Sequence, residues 1–449
     1  MKQLALFVCI CCAGFVTRSQ SYQPIWESLD KRPVPAWYTD AKFGIFIHWG
    51  VYSVPSWATN SNADGFGSGY SEWYWQRLHA SSLKIHKEFK AFHEKKYGNM
   101  SYQDFAPMFK AELFDADKWA DIIKNAGAKY VVLTSKHHDG FALWPSKQSW
   151  NWNAKDVGPH KDLAGEISTA VKKAGLRMGF YYSLYEWYNP LYKTDLSQYV
   201  DEHMLPQMKD LVNSYQPDIF WPDGQWEHSD TVWKSREFLT WLYNESPVKD
   251  KVVVNDRWGK GNGHGSFSTT EYGSGNWSPD KPWEECRGIG ESFGYNRNEN
   301  LESYLSSEQL VHSLVDIVSR GGNLLLNIGP TSDGRIPVIM QQRLKDAGDW
   351  LKVNGEAIYG TAYWSGSKDN KTSKLFFTKK ANALYVITTD WKETILLQNI
   401  PAVKAVSLLG YKDKVSFRQL KNNISIKAPA INPGNMPCQY AWVYKLELQ

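Results

Sequence analysis

Short apolar runs alternate with segments of helical periodicity over residues 35–355. Residues 114–129 carry apolar side chains at helical spacing and reach a glycine near their end, and an apolar run begins directly afterwards at Tyr130. Residues 161–187 repeat this unit of helix, glycine and apolar run. Alternation of this kind is typical of parallel strands joined by covering helices.

The candidate strands share a second feature, because each begins with apolar residues and ends with polar or aromatic ones. They lie within residues 42–50, 130–140, 176–187, 218–224, 251–259, 267–272 and 322–330. A (β/α)8 barrel builds its active site from the C-terminal ends of its strands. The pattern therefore predicts an α/β protein with a (β/α)8-type (TIM-like) barrel whose polar strand ends converge on one mouth.

The pattern changes after a helix-like stretch at residues 338–353. Residues 360–449 lose helical periodicity and show short alternating runs, which are typical of an all-β sandwich. We place the linker near residues 359–363. The predicted domains are a catalytic barrel over residues 22–358 and a C-terminal β-sandwich over residues 359–449.

The first 21 residues have the features of a secretory signal peptide. Lys2 gives a positive start, residues 4–16 form an apolar run, and the small residues Ser19 and Ser21 follow. The apolar run is shorter than the roughly 20 residues that cross a bilayer. We therefore predict a chain that enters the secretory pathway, loses residues 1–21 and keeps no membrane span.

Asn-x-Ser/Thr triplets fit passage through a glycosylating compartment. The candidate acceptors are Asn99, Asn244, Asn276, Asn370 and Asn423. Three of the five cysteines fall within the signal peptide. The remaining Cys286 and Cys438 leave two states open, a disulfide that closes a long loop or two free thiols.

Aromatic residues make up 15% of the chain and include 22 Trp, which is well above average usage. Lys and Arg number 51 against 47 Asp and Glu, and no long basic run occurs. This balance argues against a polyanionic partner, so we expect no nucleic-acid binding. The paired glycines at 321–322 lack the Gly-Lys-Ser/Thr ending of a phosphate loop, and no Gly-x-Ser-x-Gly motif of a serine hydrolase is present.

Asp223 is the strongest candidate for chemistry, because it ends an apolar strand between Trp221 and Trp226. A carboxylate between aromatic rings at a barrel mouth fits glycoside hydrolysis, in which it attacks or stabilises a cationic sugar carbon. The tripeptide Pro-Asp-Gly is also a common turn, in which the Asp side chain caps the backbone. Both interpretations stay open on the residues alone.

Three histidines stand at strand ends, His48, His137 and His138. A neutral imidazole donates one hydrogen bond and accepts another, which suits sugar hydroxyls. A metal site is the alternative, but adjacent side chains on a strand point to opposite faces, and no His-x-x-x-His or Cys-x-x-Cys spacing occurs. We therefore predict no metal.

Glycoside chemistry needs a second carboxyl group beside the first. Glu271 and the pair Glu284 and Glu285 qualify, and their positions in the sequence do not choose between them. Glu72 lies in an aromatic segment that equally fits a packed surface loop. Arg257 closes another strand, where it could orient a carboxylate or pair with Asp256.

Eight motifs follow one another over about residues 25–360: FGIFIHWG, SEWYW, KHHDGF, FWPDG, NDRWG, WEEC, SFGYN and GGNLLLNIGP. Together, and in this collinear order, they resemble the α-L-fucosidases of glycoside hydrolase family 29. The resemblance implies a retaining exo-glycosidase that removes terminal α-L-fucose from glycoproteins, glycolipids or oligosaccharides through a covalent fucosyl–enzyme intermediate. It implies no cofactor, favours a homo-oligomer, and fits a lysosomal or extracellular location.

The resemblance also assigns roles to residues. Asp223 matches the family's nucleophile, Glu271 is the better match for the acid/base, and Glu284 is the runner-up because Pro282 stands where the family commonly has Lys. The residues that match the fucose pocket are His48, Glu72, Trp73, His137, His138, Tyr182, Trp221, Arg257 and Phe293. Tyr181 stands beside Tyr182 and is the alternative at that position.

Two other functions stay open at this point. One is a secreted, fucose-binding, lectin-like protein on the same scaffold that has lost catalysis. The other is a glycosidase for a different sugar, because the hydroxyl-reading residues follow from the resemblance.

Overall fold

The computed structural model describes residues 21–273, 281–370 and 374–449. Its first feature is an eight-stranded, all-parallel sheet that curls into an open barrel, with strand order β5-β4-β3-β2-β1-β8-β7-β6. The strands are β1 (Phe43–Ile47), β2 (Tyr130–Lys136), β3 (Arg177–Ser183), β4 (Ile219–Asp223), β5 (Val253–Val254), β6 (Ser268–Glu271), β7 (Trp283–Gly288) and β8 (Asn323–Ile328). The predicted TIM-like barrel is confirmed. Residues 1–20 of the predicted signal peptide and the Asn276 triplet lie outside the described residues.

Strand alternation separates the interior of the barrel from the layer under the helices. On β1, Phe46 packs in an interior cluster with Tyr181 and Trp221, whereas Ile45 and Ile47 pack in the outer core. Successive side chains of a strand point to opposite faces, so each barrel strand sends alternate residues inward. The interior of this barrel is therefore filled largely by aromatic rings.

One strand was missed by the sequence analysis. β7 carries Glu284, Glu285 and Arg287 and has no apolar run to mark it. It nevertheless pairs with β6 on one side and β8 on the other. β7 thus places polar residues between two other strands of the sheet, and Glu284 has its hydrogen-bond partners inside the barrel.

Helices cover the outside of the sheet at the predicted places. Asp115 and Asp162 accept backbone N–H groups at the starts of α5 and α6, and Gly127 and Gly175 follow these helices with positive φ. The helices are α1 (Trp26–Leu29), α2 (Ala36–Ala41), α3 (Tyr74–His79), α4 (His86–Tyr97), α5 (Ala116–Asn125), α6 (Leu163–Lys173), α7 (Leu191–Thr194), α8 (Leu196–Gln198), α9 (Leu205–Tyr215), α10 (Ser235–Asn244), α11 (Ser307–Ser319) and α12 (Val338–Asn354). In the part of the chain that the structure describes, no helix is long and apolar enough to cross a membrane.

The C-terminal region is all β, as predicted, and forms two antiparallel sheets in the orders β13-β16-β11-β10-β9 and β12-β15-β14. The strands are β9 (Ala362–Tyr363), β10 (Leu375–Lys380), β11 (Ala383–Thr388), β12 (Thr394–Leu397), β13 (Val403–Leu408), β14 (Ser416–Leu420), β15 (Asn423–Lys427) and β16 (Trp442–Leu448). On β11, Leu384 and Val386 pack between the two sheets, and Tyr385 and Ile387 join the main core. The larger sheet thereby fixes the C-terminal region to the barrel.

Cys286 and Cys438 are both free thiols in the structure. The first is buried inside the barrel, and the second donates to the Ala441 carbonyl at 3.2 Å. Of the two states that the sequence left open, the structure shows the unpaired one.

A buried ion pair lies at the end of β2, directly before His137 and His138 in the chain. Lys136, on β2, contacts Glu186 at 2.5 Å, and the two side chains are 0% and 1% exposed. The Tyr199 hydroxyl donates to Glu186 at 3.2 Å, and the Lys136 ammonium lies over the Tyr182 ring. Removal of one member of such a pair leaves an uncompensated charge in a site without water.

We expect Lys136→Met or Glu186→Leu alone to lower the free energy of unfolding by about 3–5 kcal/mol, because each leaves one buried charge unpaired. The double substitution should recover most of this loss, since both charges are then gone. Urea denaturation of the four proteins measures the effect. A double variant that loses the sum of the two single effects would contradict this account of the pair.

Candidate active site

A cavity of about 410 Å³ opens at the C-terminal ends of the barrel strands. The structure brings together there both Asp223 and Glu271 and eight of the nine residues expected to bind the sugar. These eight are His48, Glu72, Trp73, His137, His138, Trp221, Arg257 and Phe293. Residues that are far apart in the barrel sequence thus line one pocket. The pocket lies at the barrel mouth, where the strand pattern predicts the site.

Asp223 is the last residue of β4 and is 7% exposed. Arg257 Nη1 donates to Oδ1 at 2.7 Å, and the Tyr181 hydroxyl donates to Oδ2 at 2.9 Å. Burial alone would raise the pKa of this carboxyl, but the charge of Arg257 and these hydrogen bonds hold it below the usual value. Both oxygens bind side chains of the pocket, which favours a site role over the turn interpretation of Pro-Asp-Gly.

Glu271 ends β6 and shares Arg257 with Asp223. Its Oε2 accepts from Arg257 Nη2 at 3.4 Å, and its Oε1 accepts from the Tyr70 hydroxyl at 3.1 Å. Burial raises the pKa of Glu271 above its usual value, against the charge of Arg257, and the negative charge of Asp223 adds to the rise. One guanidinium therefore holds two carboxyl groups whose pKa values move in opposite directions.

Arg257 is held in place by the residues around β6. Its Nε donates to Thr269 Oγ1 at 3.1 Å, and its guanidinium lies 4.7 Å from the centroid of the Trp221 ring. Asp256, the pairing partner that the sequence left open, instead accepts from the Thr269 hydroxyl at 2.7 Å. Side chains thus connect the ends of β5 and β6. Because Arg257 does not pair with Asp256, its guanidinium binds the carboxylates of the pocket.

His48 is a neutral hydrogen-bond acceptor toward the pocket. Its Nδ1 lies 2.7 Å from Asn327 Oδ1, whose amide group donates to the Phe293 carbonyl at 2.6 Å. Because an amide oxygen only accepts, the His48 proton is on Nδ1 and the lone pair is on Nε2. Burial lowers the pKa of His48 to about 3, so the ring stays uncharged at physiological pH.

His138 has the same tautomer for a similar reason. Its Nδ1 lies 2.6 Å from Ser183 Oγ, which donates its own proton to the Tyr185 carbonyl at 2.5 Å. The His138 proton is therefore on Nδ1, and its bare Nε2 lies 4.0 Å from Asp223 Oδ2. Burial lowers the pKa of His138 to about 4. Both histidines can accept hydrogen bonds from sugar hydroxyl groups.

Glu72 and His137 complete the buried polar wall of the pocket. Glu72 accepts from the Gly294 N–H at 2.8 Å and from the Ser292 hydroxyl at 3.2 Å, and burial raises its pKa to about 7. Burial lowers the pKa of His137 well below its usual value, and its ring stacks on Tyr181. The Nδ1 atom of His137 is buried and has no hydrogen-bond partner within the protein.

The expectation for Tyr182 is corrected to Tyr181. Tyr182 points out of the barrel into the outer core, where its hydroxyl donates to Gln207 at 2.8 Å. Tyr181 points inward, lines the cavity and donates to Asp223. The two tyrosines are neighbours on β3, so strand alternation sends only one of them into the pocket.

Glu284 lies beneath the pocket and does not line it. Its carboxyl group is 1% exposed and accepts from the hydroxyls of Tyr38 and Tyr130, at 3.0 and 2.5 Å, and from Trp221 Nε1, at 2.9 Å. Burial raises the pKa of Glu284 to about 7. Two residues later on the same strand, Cys286 reaches the cavity. Glu284 therefore supports the floor of the pocket through Trp221.

Sequence reasoning missed several residues of the cavity wall. They are Phe46, Phe66, Gly67, Tyr70, Arg77 and Cys286. Phe46 lies inside an apolar strand run whose residues all look alike in the sequence, and Tyr70 lies in a loop without strand or helix pattern. Phe46 and Cys286 lie within the motifs FGIFIHWG and WEEC, which is the signal that could have found them.

The residues described contain no cluster of three or more His, Cys, Asp or Glu side chains that could hold a metal ion. The pocket instead offers two carboxyl groups on one guanidinium, neutral imidazoles and aromatic rings. A glycoside hydrolase has this combination, with two carboxyl groups for the chemistry and acceptors and rings for the sugar.

Comparisons with known proteins agree with this class. The family model "Alpha-L-fucosidase" matches residues 10–356, and the model "Alpha-L-fucosidase C-terminal domain" matches residues 367–447. Human tissue alpha-L-fucosidase is 43% identical over 461 aligned residues, which cover 99% of this chain and 96% of that protein. Human plasma alpha-L-fucosidase is 44% identical, with coverage of 97% and 94%.

Solved structures show the same relationship. Thermotoga maritima alpha-fucosidase in complex with fucose superposes with a TM-score of 0.79 and 37% identity, covering 95% of this chain and all of that one. Alpha-L-fucosidase isoenzyme 1 from Paenibacillus thiaminolyticus gives a TM-score of 0.76 and 27% identity, covering 92% of this chain and 98% of that one. The chain belongs to the α-L-fucosidase family, glycoside hydrolase family 29, and is a glycosidase of that family.

Tyr181→Phe should lower kcat/KM for an aryl α-L-fucoside roughly 10- to 100-fold, because it removes a hydrogen bond to a charged group, which is worth about 1.5–3 kcal/mol. The acid limb of the pH profile should also move to higher pH, since the pKa of Asp223 rises when a donor to its charged form is lost. Tyr182→Phe is the matched control and should change neither quantity. Equal effects of the two substitutions would contradict the placement.

Proposed function

We propose that the protein is a retaining exo-α-L-fucosidase with Asp223 as nucleophile and Glu271 as acid/base. The observation that carries the proposal is the Arg257 guanidinium between the two carboxyl groups. Asp223, with its lowered pKa, is ionised and can attack, while Glu271, with its raised pKa, can hold a proton. Environments that move the pKa values of two carboxyl groups apart mark the nucleophile and the acid.

The proposed reaction has two displacements. Asp223 attacks the anomeric carbon as the glycosidic bond breaks, and the Glu271 proton passes to the leaving oxygen. The Glu271 carboxylate then takes a proton from water, whose oxygen attacks the same carbon and releases Asp223. A retaining mechanism needs carboxyl groups about 5–5.5 Å apart, and a shared guanidinium favours such a short separation.

The remaining pocket residues supply recognition of the sugar. The bare Nε2 atoms of His48 and His138 accept from hydroxyl groups, and aromatic rings pack against the apolar parts of fucose. The natural substrate class is a glycan, glycolipid or oligosaccharide with terminal α-L-fucose. Nothing in the site or in the comparisons favours the lectin-like alternative.

We infer a lysosomal or extracellular location from the signal-like N-terminus and from the tissue and plasma relatives. Among the glycosylation candidates, Asn99 and Asn423 are exposed and so are accessible acceptors. Asn370 is buried and its Nδ2 donates to the Gln398 carbonyl at 2.7 Å, and Asn244 Nδ2 donates to the Tyr22 carbonyl at 2.8 Å. Of the four candidates that the structure describes, we propose Asn99 and Asn423 as glycosylated positions. The homo-oligomeric state stays a prediction.

Azide distinguishes the roles of the carboxyl groups. Asp223→Gly should lower turnover of an aryl α-L-fucoside by about 10³-fold or more, and azide should then give the inverted β-fucosyl azide. Glu271→Ala should be rescued by azide with the retained α-fucosyl azide as product, because the covalent intermediate still forms. Glu284→Ala, the matched control, should show no rescue. An α-azide from the Glu284 variant together with none from the Glu271 variant would reverse the acid/base assignment.

The pH dependence should be bell-shaped with its optimum on the acidic side. Asp223 must be ionised, so activity falls as pH drops through its lowered pKa. Glu271 must be protonated for the first displacement, so activity falls as pH rises through its raised pKa. Profiles of kcat/KM for an aryl fucoside measure both limbs. A basic limb that is unchanged in Glu271→Gln would show that another group controls it.

A further inference from the structure

Phe66 is a large aromatic side chain that lines the cavity and yet is 69% exposed. It stands at the rim, on the long loop between β1 and α3. Exposed aromatic surface beside a binding pocket is unfavourable in water and is covered when a ligand packs on it. Phe66 therefore marks a place where something besides the fucose ring can bind.

The loop holds Phe66 in a defined place. Gly65 and Gly67, on either side, have φ values of 84° and 79°, which other residues rarely adopt. The Asp64 carboxylate accepts the backbone N–H groups of Lys84 and Ile85 at 3.1 and 2.9 Å. The ring is thus presented by an anchored turn.

Phe66 lies on the side of the pocket that belongs to Glu271. Its ring contacts Tyr70 and Tyr272 edge to face, with centroid distances of 5.6 and 5.8 Å. Tyr70 donates to Glu271, and Tyr272 follows Glu271 in the chain. Trp226, the other exposed aromatic of the wall, packs instead near His138, on the side of Asp223.

The position of Phe66 on the Glu271 side of the pocket indicates which part of a substrate it contacts. A nucleophile attacks the anomeric carbon from the side opposite to the leaving group, so the leaving sugar lies toward the acid and away from Asp223. We propose that Phe66 is the platform on which the pyranose that carries the fucose packs during cleavage, an inference that rests on the proposed roles of Asp223 and Glu271. The C–H face of a pyranose meets the electron-rich face of the aromatic ring there.

The test compares two substrates that differ in the leaving group. α-L-Fucosyl fluoride releases a single atom that is too small to reach Phe66. The second substrate is the fucosyl disaccharide that the wild-type enzyme cleaves fastest within a panel of different linkages. Phe66→Ala should lower kcat/KM about tenfold for the disaccharide and leave it unchanged for the fluoride.

Two variants serve as controls. Phe66→Tyr keeps the aromatic face and should stay within about twofold of wild type on both substrates. Trp150→Ala removes an exposed aromatic ring that does not line the cavity, and it should change neither rate. The inhibition constant of free fucose should be the same in wild type and Phe66→Ala.

Other outcomes overturn the inference. An equal loss on both substrates would place Phe66 in the fucose site or in the fold, and no loss on either would show that the ring contacts no leaving group. A loss in Trp150→Ala as large as that in Phe66→Ala would remove the specificity of the effect. Wild-type enzyme that releases fucose from neither substrate would refute the proposed function itself, a separate result.

Discussion

The Arg257 guanidinium is the group on which the site depends. It is 13% exposed and binds Asp223 and Glu271 with different nitrogens. A charge buried to this degree is costly unless carboxylates lie against it, and the same carboxylates could not approach each other without it. The guanidinium thus permits two acids in one pocket: its charge holds the pKa of Asp223 below the usual value, while burial raises the pKa of Glu271 against that same charge.

Arg257 also lies at the opening of the barrel, between β5 and β6. In the described residues, β5 and β6 share no ladder, and one backbone bond from Ser266 to Val254 spans the opening. Side chains bridge the strand ends instead, since Thr269 binds both Asp256 and Arg257. The arrangement of the two proposed catalytic carboxyl groups and the connection between β5 and β6 are therefore formed by one polar network.

Aromatic rings form the floor under this network. Trp221 lies below Arg257, packs on Phe46 and Tyr181, and donates to the buried Glu284. Many of the aromatic residues that are overrepresented in the composition therefore pack inside the barrel, in addition to those that line the pocket. This packed floor supports the side chains that hold the two carboxyl groups, and the proposed mechanism requires them in fixed positions.

The sequence predicted the barrel, its C-terminal sandwich and most of the pocket, because polar ends of parallel strands meet at one edge. It could not decide between Tyr181 and Tyr182, since β3 is apolar on both faces and hides its alternation. The residues alone also could not separate Glu271 from Glu284, because depth inside a barrel depends on strand register, and only the family resemblance ranked Glu271 first. β7 was missed for the related reason that its polar residues are satisfied by distant partners such as Tyr38 and Tyr130.

Titration of the two carboxyl groups tests the central claim most directly. Infrared difference spectra of wild type against Asp223→Asn and against Glu271→Gln isolate the carboxyl band of each residue. We predict that the pKa of Asp223 lies below 3.8 and that the pKa of Glu271 lies above 4.5, which are the ordinary pKa values of the two side chains. A pKa below the ordinary value for both groups, or a pKa of Asp223 above that of Glu271, would contradict the opposite pKa shifts from which the roles of nucleophile and acid are proposed.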